Sequence, residues 1–308
     1  MFTLGIDTSN YASSLAVFDA ARRTVVADCK RFLPVKAGGL GLRQSDAVFH
    51  HTAALPELLR QLGAAFPLRR VGAVGVSEKP RPAEGSYMPC FLTGVSAAQG
   101  IALARGVPLI RTTHQQGHIA AALFAADSTL LEKRVLVFHI SGGTTELLLC
   151  EGARILRRIG ASTDLYAGQA VDRIGVRLGF AFPAGAELSR LAAQCGEDIR
   201  PKVSVKGADC SFSGLENQCA ALLKRGEPPA YVAKYCLLAV ARTVLQMIRA
   251  ARAEEPDTPV VCAGGVMSSD LIRAAVQKEE PEAMFVPGKY ASDNAIGVAI
   301  LAARACAE

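Results

Sequence analysis

Two hairpins of the same design, far apart in the chain, constrain this sequence more than any other feature. The first runs through Thr3-Leu4-Gly5-Ile6-Asp7, turns at Thr8-Ser9-Asn10-Tyr11-Ala12-Ser13 and returns along Ser14-Leu15-Ala16-Val17-Phe18-Asp19. The second runs from Val135 to Ile140, turns at Ser141-Gly142-Gly143-Thr144-Thr145 and returns from Glu146 to Cys150. An apolar run, a polar turn and a second apolar run make an antiparallel hairpin. Its recurrence at corresponding places predicts an internal duplication, and hence two related halves. A chain of 308 residues is long enough for two domains of about 150 residues each.

What lies between the hairpins sets the fold class. Helical patterns at 53–62, 94–105 and 114–124 alternate with short apolar strands at 71–76 and 107–110, and Gly106 is placed for a left-handed helix C-cap. The second half continues with helices near 168–179, 186–195, 212–224 and 230–253, a strand from Pro259 to Ala263, a helix from about Ser269 and a last helix near 293–305. Strands alternating with helices predict an α/β protein with largely parallel pairing. The expected lobes are 1–132, with the last helix packing back on it, and 133–308. Segments 79–89 and 196–210 read as surface excursions.

Composition excludes several classes. The most apolar stretch, Cys236 to Ile248, carries Arg242 and falls short of the roughly 18 residues of a membrane span. The N-terminus meets Asp7 with no basic leader, so the expected location is cytoplasmic, with no membrane partner. Nine cysteines without a C-x-x-C pair argue against a zinc ribbon or a disulfide framework. A formal charge of +6 is compatible with a nucleic-acid partner, whereas the absence of Trp argues against a stacking platform for single strands.

Three small-residue turns follow buried strands: Gly5 to Ser9, Ser141 to Thr145, and Ala263-Gly264-Gly265-Val266. Glycine allows close backbone approach, successive N–H groups form anion nests, and Ser and Thr add hydroxyl donors. Together the turns look like the two-lobed nucleotide-binding plan of actin and hexokinase, with a cleft between the lobes. Asp7 and Ser9 are the candidate catalytic groups of the first turn. His114 and His118 stand at i and i+4, on one helix face, where both reach one metal ion. Their spacing is that of a zinc-protease helix, but Gln115 stands where the general-base Glu is required, which disfavours that hydrolysis. Asp293 is the candidate third ligand. Asp172, with Gly185 and Glu187 beyond it, could hold a ribose through its hydroxyls. The adjacent His50 and His51 read as helix-surface residues.

Taken in order, these blocks and Ser211-Phe212-Ser213-Gly214-Leu215 resemble the tRNA threonylcarbamoyl transferase family nearly end to end. The resemblance implies a duplicated actin- and hexokinase-like fold and one iron or zinc ion on His114, His118 and Asp293. It implies that Ile140, Ser141, Gly142, Gly143 and Thr144 line the site of threonylcarbamoyl-adenylate or of an ATP- or AMP-type nucleotide. Asp172 and Gly185 would hold its nucleoside, with Glu187, Gly264, Gly265 and Ser269 as further binding residues. The implied partners are tRNA and proteins of the threonylcarbamoylation pathway, or a homo- or heterodimer through the N-terminal lobe. The chain departs from the family pattern at Tyr11 and Ala12, which replace an acid pair, and in the loop Glu78-Lys79-Pro80-Arg81-Pro82. It departs again at Thr144 (usually His), Ser269 (usually Asn) and Glu216 (usually Lys), where the reversed charge is expected on a face toward a partner or tRNA. Three readings follow: a threonylcarbamoyl transferase, a diverged paralogue with another acceptor, and a non-catalytic dimerisation partner.

Overall fold

The computed structural model describes residues 1–34, 42–291 and 295–307. The chain divides into two compact units, Met1–Leu131 with Ser292–Glu308, and Glu132–Ala291.

Unit 1 begins with the meander β1 (Phe2–Ser9), β2 (Ala12–Asp19) and β3 (Thr24–Phe32), followed by α1 (Gln44–Ala65) and β4 (Val71–Lys79). Then come α2 (Phe91–Arg105), β5 (Leu109–Thr113) and α3 (His114–Asp127). Unit 2 repeats the meander as β6 (Arg134–Ile140), β7 (Thr145–Glu151) and β8 (Arg154–Ala161). It continues through α4 (Ala167–Arg177), α5 (Gly185–Ala192), β9 (Ser204–Lys206), β10 (Asp209–Ser211), α6 (Ser213–Lys224) and α7 (Pro229–Arg252). The unit closes with β11 (Val260–Ala263), α8 (Asp270–Gln277), β12 (Met284–Phe285) and α9 (Gly288–Ala291), and α10 (Ile296–Ala305) returns to unit 1.

The sheet orders are β3-β2-β1-β4-β5 and β12-β11-β6-β7-β8. Read from the meander outward they are the same order. In each, the first strand pairs antiparallel with the second and parallel with the strand after the crossover. The duplication visible in the hairpins therefore extends to the topology of both units.

One face of the unit 1 sheet presents Leu4, Ile6, Leu15, Val17, Val74 and Val76 to Leu55, Leu58 and Leu62 of α1. The other face carries α10 at close range. A Cβ on Gly5 would stand 2.3 Å from the Ala295 carbonyl oxygen, so only glycine admits the helix there. Thr3 Oγ1 seals the contact by donating to the Ala299 carbonyl at 2.7 Å. In unit 2 the core is built on α7, whose Val232, Leu237, Val240, Val244 and Ile248 are buried against Phe138, Leu147 and Leu188.

Helix α7 corrects one expectation. By length and composition alone it could cross a membrane, but 67% of its most apolar stretch is buried, the pattern of a core helix. Segment 196–210 is more than an excursion, because it holds β9 and the start of β10, paired antiparallel. Strands β3 and β8 escaped the sequence reading. Both lie at sheet edges with Lys30 and Arg31, or Arg154, Arg157 and Arg158, exposed along them, so charge interrupts the apolar alternation.

Candidate functional site

In unit 1, the start of α3 is set by a capping box. Gln116 donates its N–H to Thr113 Oγ1 at 3.3 Å, while Thr113 donates its N–H to Gln116 Oε1 at 3.3 Å. The Gln115 N–H donates to the Pro80 carbonyl at 3.0 Å, so the acid-base-proline loop anchors this helix end. His114 thereby becomes the first helical residue and His118 follows one turn later. Their Nε2 atoms are 2.9 Å apart, with ring centroids at 4.3 Å and planes inclined at 81°. On the far side of its ring, His114 Nδ1 lies 3.0 Å from Asp7 Oδ1. Asp7 is 0% exposed, and its Oδ2 has no partner.

This donor set fits a divalent metal ion. Two imidazole nitrogens bound at about 2.05 Å stand about 3.3 Å apart at the tetrahedral angle; the observed 2.9 Å, the length of an Nε2···Nε2 hydrogen bond, brings both nitrogens within reach of one ion. A carboxylate on the opposite ring nitrogen is the usual support of a metal-bound imidazole. Among the described residues, no third His, Cys, Asp or Glu completes a ligand group. The candidate third ligand, Asp293, lies outside the described residues.

Around this pair the first turn is buried. Ser9 is almost inaccessible, as is Ala12, whereas Tyr11 is exposed. His51 corrects the surface reading: it is 0% exposed on the inward stripe of α1 shared with Ala47, Ala54, Leu55 and Leu58. Its Nδ1 lies 2.7 Å from Ser13 Oγ. Burial pushes the His51 imidazole below its ordinary pKa, against the raising influences of a hydrogen bond with the Ser9 backbone and of Asp7. The i, i+4, i+7 spacing of Ala47, His51 and Ala54 could have revealed it, but the polarity of the His pair concealed the apolar stripe.

In unit 2, Ile140 ends β6 and the turn closes with the Ser141 N–H donating to the Thr144 carbonyl at 2.8 Å. The Gly143 N–H donates to Ser141 Oγ at 3.3 Å, and Gly142 and Gly143 are exposed. Thr145 Oγ1 accepts the Ala167 N–H at 2.9 Å, which ties the N-terminus of α4 to this turn. The turn after β11 approaches from the other strand. Gly264 adopts φ 101°, and a Cβ there would stand 2.2 Å from the Ile140 carbonyl oxygen. Two small-residue turns and one helix N-terminus thus converge, an arrangement suited to an anion.

Asp172 on α4 reaches the loop before α5, accepting the Ala184 N–H at 2.8 Å. Burial raises its carboxyl pKa, with the Ala184 and Gly185 N–H groups acting in the opposite direction. Gly185 opens α5. Glu187 lies on the same helix and pairs with Arg190. Ser269 precedes α8 and its Oγ accepts from Ser189 Oγ at 3.1 Å, joining the Gly264-Gly265 turn to α5.

Two residues outside the expected set organise this unit. Asp164 accepts the Phe212 and Ser213 N–H groups at 2.8 and 3.2 Å and both flanking serine hydroxyls, so the N-terminus of α6 is capped from a distant loop. Although burial alone would raise its carboxyl, these bonds hold it well below the usual carboxylate range. Glu216, where the family pattern has Lys, is engaged within the unit. It pairs with Arg173 at 3.1 Å and Arg177 at 3.4 Å, and so joins α6 to α4 within the unit.

Comparison with known proteins accounts for this combination. Residues 36–300 match the family described as tRNA N6-adenosine threonylcarbamoyltransferase. The chain is 28% identical to the protein of that name from Pyrobaculum neutrophilum, over 97% of this chain and 87% of the relative. It is 30% identical to the one from Geobacillus kaustophilus, over 97% and 90%. Among solved structures, HypF from T. kodakarensis is similar with TM-score 0.64 at 16% identity, over 99% of this chain and 47% of that one. The ROK hexokinase from Thermus thermophilus is similar with TM-score 0.53 at 17% identity, over 99% and 100%. The structural likenesses establish a two-lobed, hexokinase-like α/β fold. The sequence match covers most of the chain, and the chain belongs to the tRNA N6-adenosine threonylcarbamoyltransferase family.

Proposed function

We propose that this protein transfers the threonylcarbamoyl group of threonylcarbamoyl-adenylate to the N6 amine of a tRNA adenine near the anticodon. The observation that carries the reading is the convergence of the two Nε2 atoms of His114 and His118 at 2.9 Å in a family member. His114, His118 and Asp293 would hold one divalent ion, iron or zinc. When bound, it supplies Lewis-acid polarisation of a carbonyl. In the reaction, the adenine amine attacks the carbamoyl carbon, a C–N bond forms, the C–O bond to phosphate breaks, and the amine proton departs as AMP leaves.

The chain's own groups bind and orient the donor. The N–H groups of the Ser141 to Thr144 turn, the N-terminus of α4 and the Gly264-Gly265 turn would receive its phosphate and stabilise the charge that grows there. Ile140, Asp172 and Gly185 would position the nucleoside, with Glu187 and Ser269 at the margin, and an ATP- or AMP-type nucleotide would fit the same turns. Ser9, buried in the first turn, would serve the reacting centre without touching substrate. The chain would work in the cytoplasm with pathway proteins, or as a dimer through its N-terminal lobe.

Incubation of the protein with a divalent metal, the acyl-adenylate, unmodified tRNA and pathway proteins tests the reading. Mass spectrometry of the digested tRNA should reveal threonylcarbamoyladenosine. His118→Ala should lose both metal and product. No product from the wild type overturns the reading. A second reading, a diverged transferase with another acceptor, is favoured by Ala12, a buried methyl where the family pattern has an acid. Acyl-adenylate consumption that yields an acylated small amine and leaves tRNA unmodified would select it.

A further inference from the structure

The sheet register isolates Asp7 in an unusual way. Thr3 and Gly5 face α10, and Asp7 shares their side of β1. Ser14 is its direct partner on β2, and Ser77 follows Val76, the partner of Ile6 on β4. All three residues are buried, and Asp7 Oδ2, Ser14 Oγ and Ser77 Oγ have no hydrogen-bond partner. Neither serine therefore satisfies the carboxyl group beside it. Its one hydrogen bond among the described residues goes to His114 Nδ1. A buried carboxylate without a compensating charge is expensive to maintain, and a cation held at the convergent Nε2 atoms would compensate it through the His114 ring.

We propose that Asp7 is the positioning residue of His114. It accepts the Nδ1–H, fixes the tautomer that directs the Nε2 lone pair toward His118, and sets the strength of His114 as a metal ligand. At 0% exposure it is out of reach of substrate, which distinguishes this role from a catalytic one. The inference rests on the assignment of His114 and His118 to a divalent ion.

Cobalt(II) titration of the full-length apoprotein tests both layers, because the visible absorption of bound cobalt reports its ligands. Asp7→Asn keeps shape and an acceptor but removes the charge, and should raise the Kd by about 10- to 100-fold. Asp7→Leu should raise it further and alter the spectrum, as the ring loses its orientation. If His118→Ala binds cobalt as the wild type does, the metal assignment itself falls. If His118→Ala loses cobalt while both Asp7 variants keep wild-type affinity and spectrum, the role of Asp7 alone falls. Nitrogen-15 NMR of the wild-type imidazoles gives a readout free of folding effects, with the His114 signal identified by its loss in His114→Gln. A proton on Nδ1 of His114 is expected, and its absence would overturn the proposal.

Discussion

A single hydrogen atom decides what residue 264 can be. The strand end at Ile140 leaves no space for a side chain on Gly264, and the backbone there has a positive φ. Gly264→Ala should destabilise the protein by more than about 1 kcal/mol, measurable as a lower urea midpoint, and should weaken anion binding at the adjoining turns. His51 supplies a prediction of a different kind. Its folded pKa is depressed by burial, so the unfolded chain takes up the proton first. Wild-type stability should therefore fall as the pH drops below about 6.5, and His51→Asn should flatten that limb of the curve. A wild type and variant with parallel pH profiles between neutrality and pH 5 would contradict the assignment. At this scale the sequence was legible where a motif states its own chemistry, as in His114 and His118. It misled about His51, whose polarity hid the buried stripe of α1, and it was silent about Asp164, whose role depends on partners brought near by tertiary folding.

Among the elements, α6 depends on a residue far from it in sequence. Asp164→Ala should cost about 0.5–2 kcal/mol, the usual value of a helix cap. Its folded pKa lies below the unfolded value, so its contribution is present above about pH 4 and is lost as the pH falls toward the folded pKa. Denaturation curves of wild type and variant should converge as the solution is acidified. The pair of α4 and α6 offers a charge test. Glu216→Lys places a cation against Arg173 and Arg177 and should destabilise by about 1 kcal/mol at low salt; the double variant Glu216→Lys with Arg173→Glu should recover part of the loss. The sequence disclosed the longer helices such as α7 because they bury a continuous stripe, but not the four-residue α9. It disclosed the hairpin strands equally well because both members are nearly wholly buried. Edge strands β3 and β8 have only one protected face each, and their arginines and lysines mask it.

The molecule as a whole was legible through repetition. Two similar turns in sequence implied two similar halves, and the matched sheet orders carry that repetition through every strand of both sheets. Less visible was what the repetition leaves to local chemistry. The same meander carries a buried carboxylate behind a histidine pair in unit 1 and an exposed glycine turn against a helix N-terminus in unit 2. The first of these suits a cation and the second an anion, although no periodicity distinguishes them.

The docking of α10 on Gly5 has a consequence for the order in which the protein can be made. Unit 2 is contiguous in the chain, so a ribosome can release all of it before α10 emerges. Unit 1 begins first and is completed last, its sheet waiting with one face uncovered until the final helix arrives. A nascent chain stalled shortly before Ile296 should hold a folded second half and a protease-sensitive first half, which limited proteolysis of the stalled chain would read.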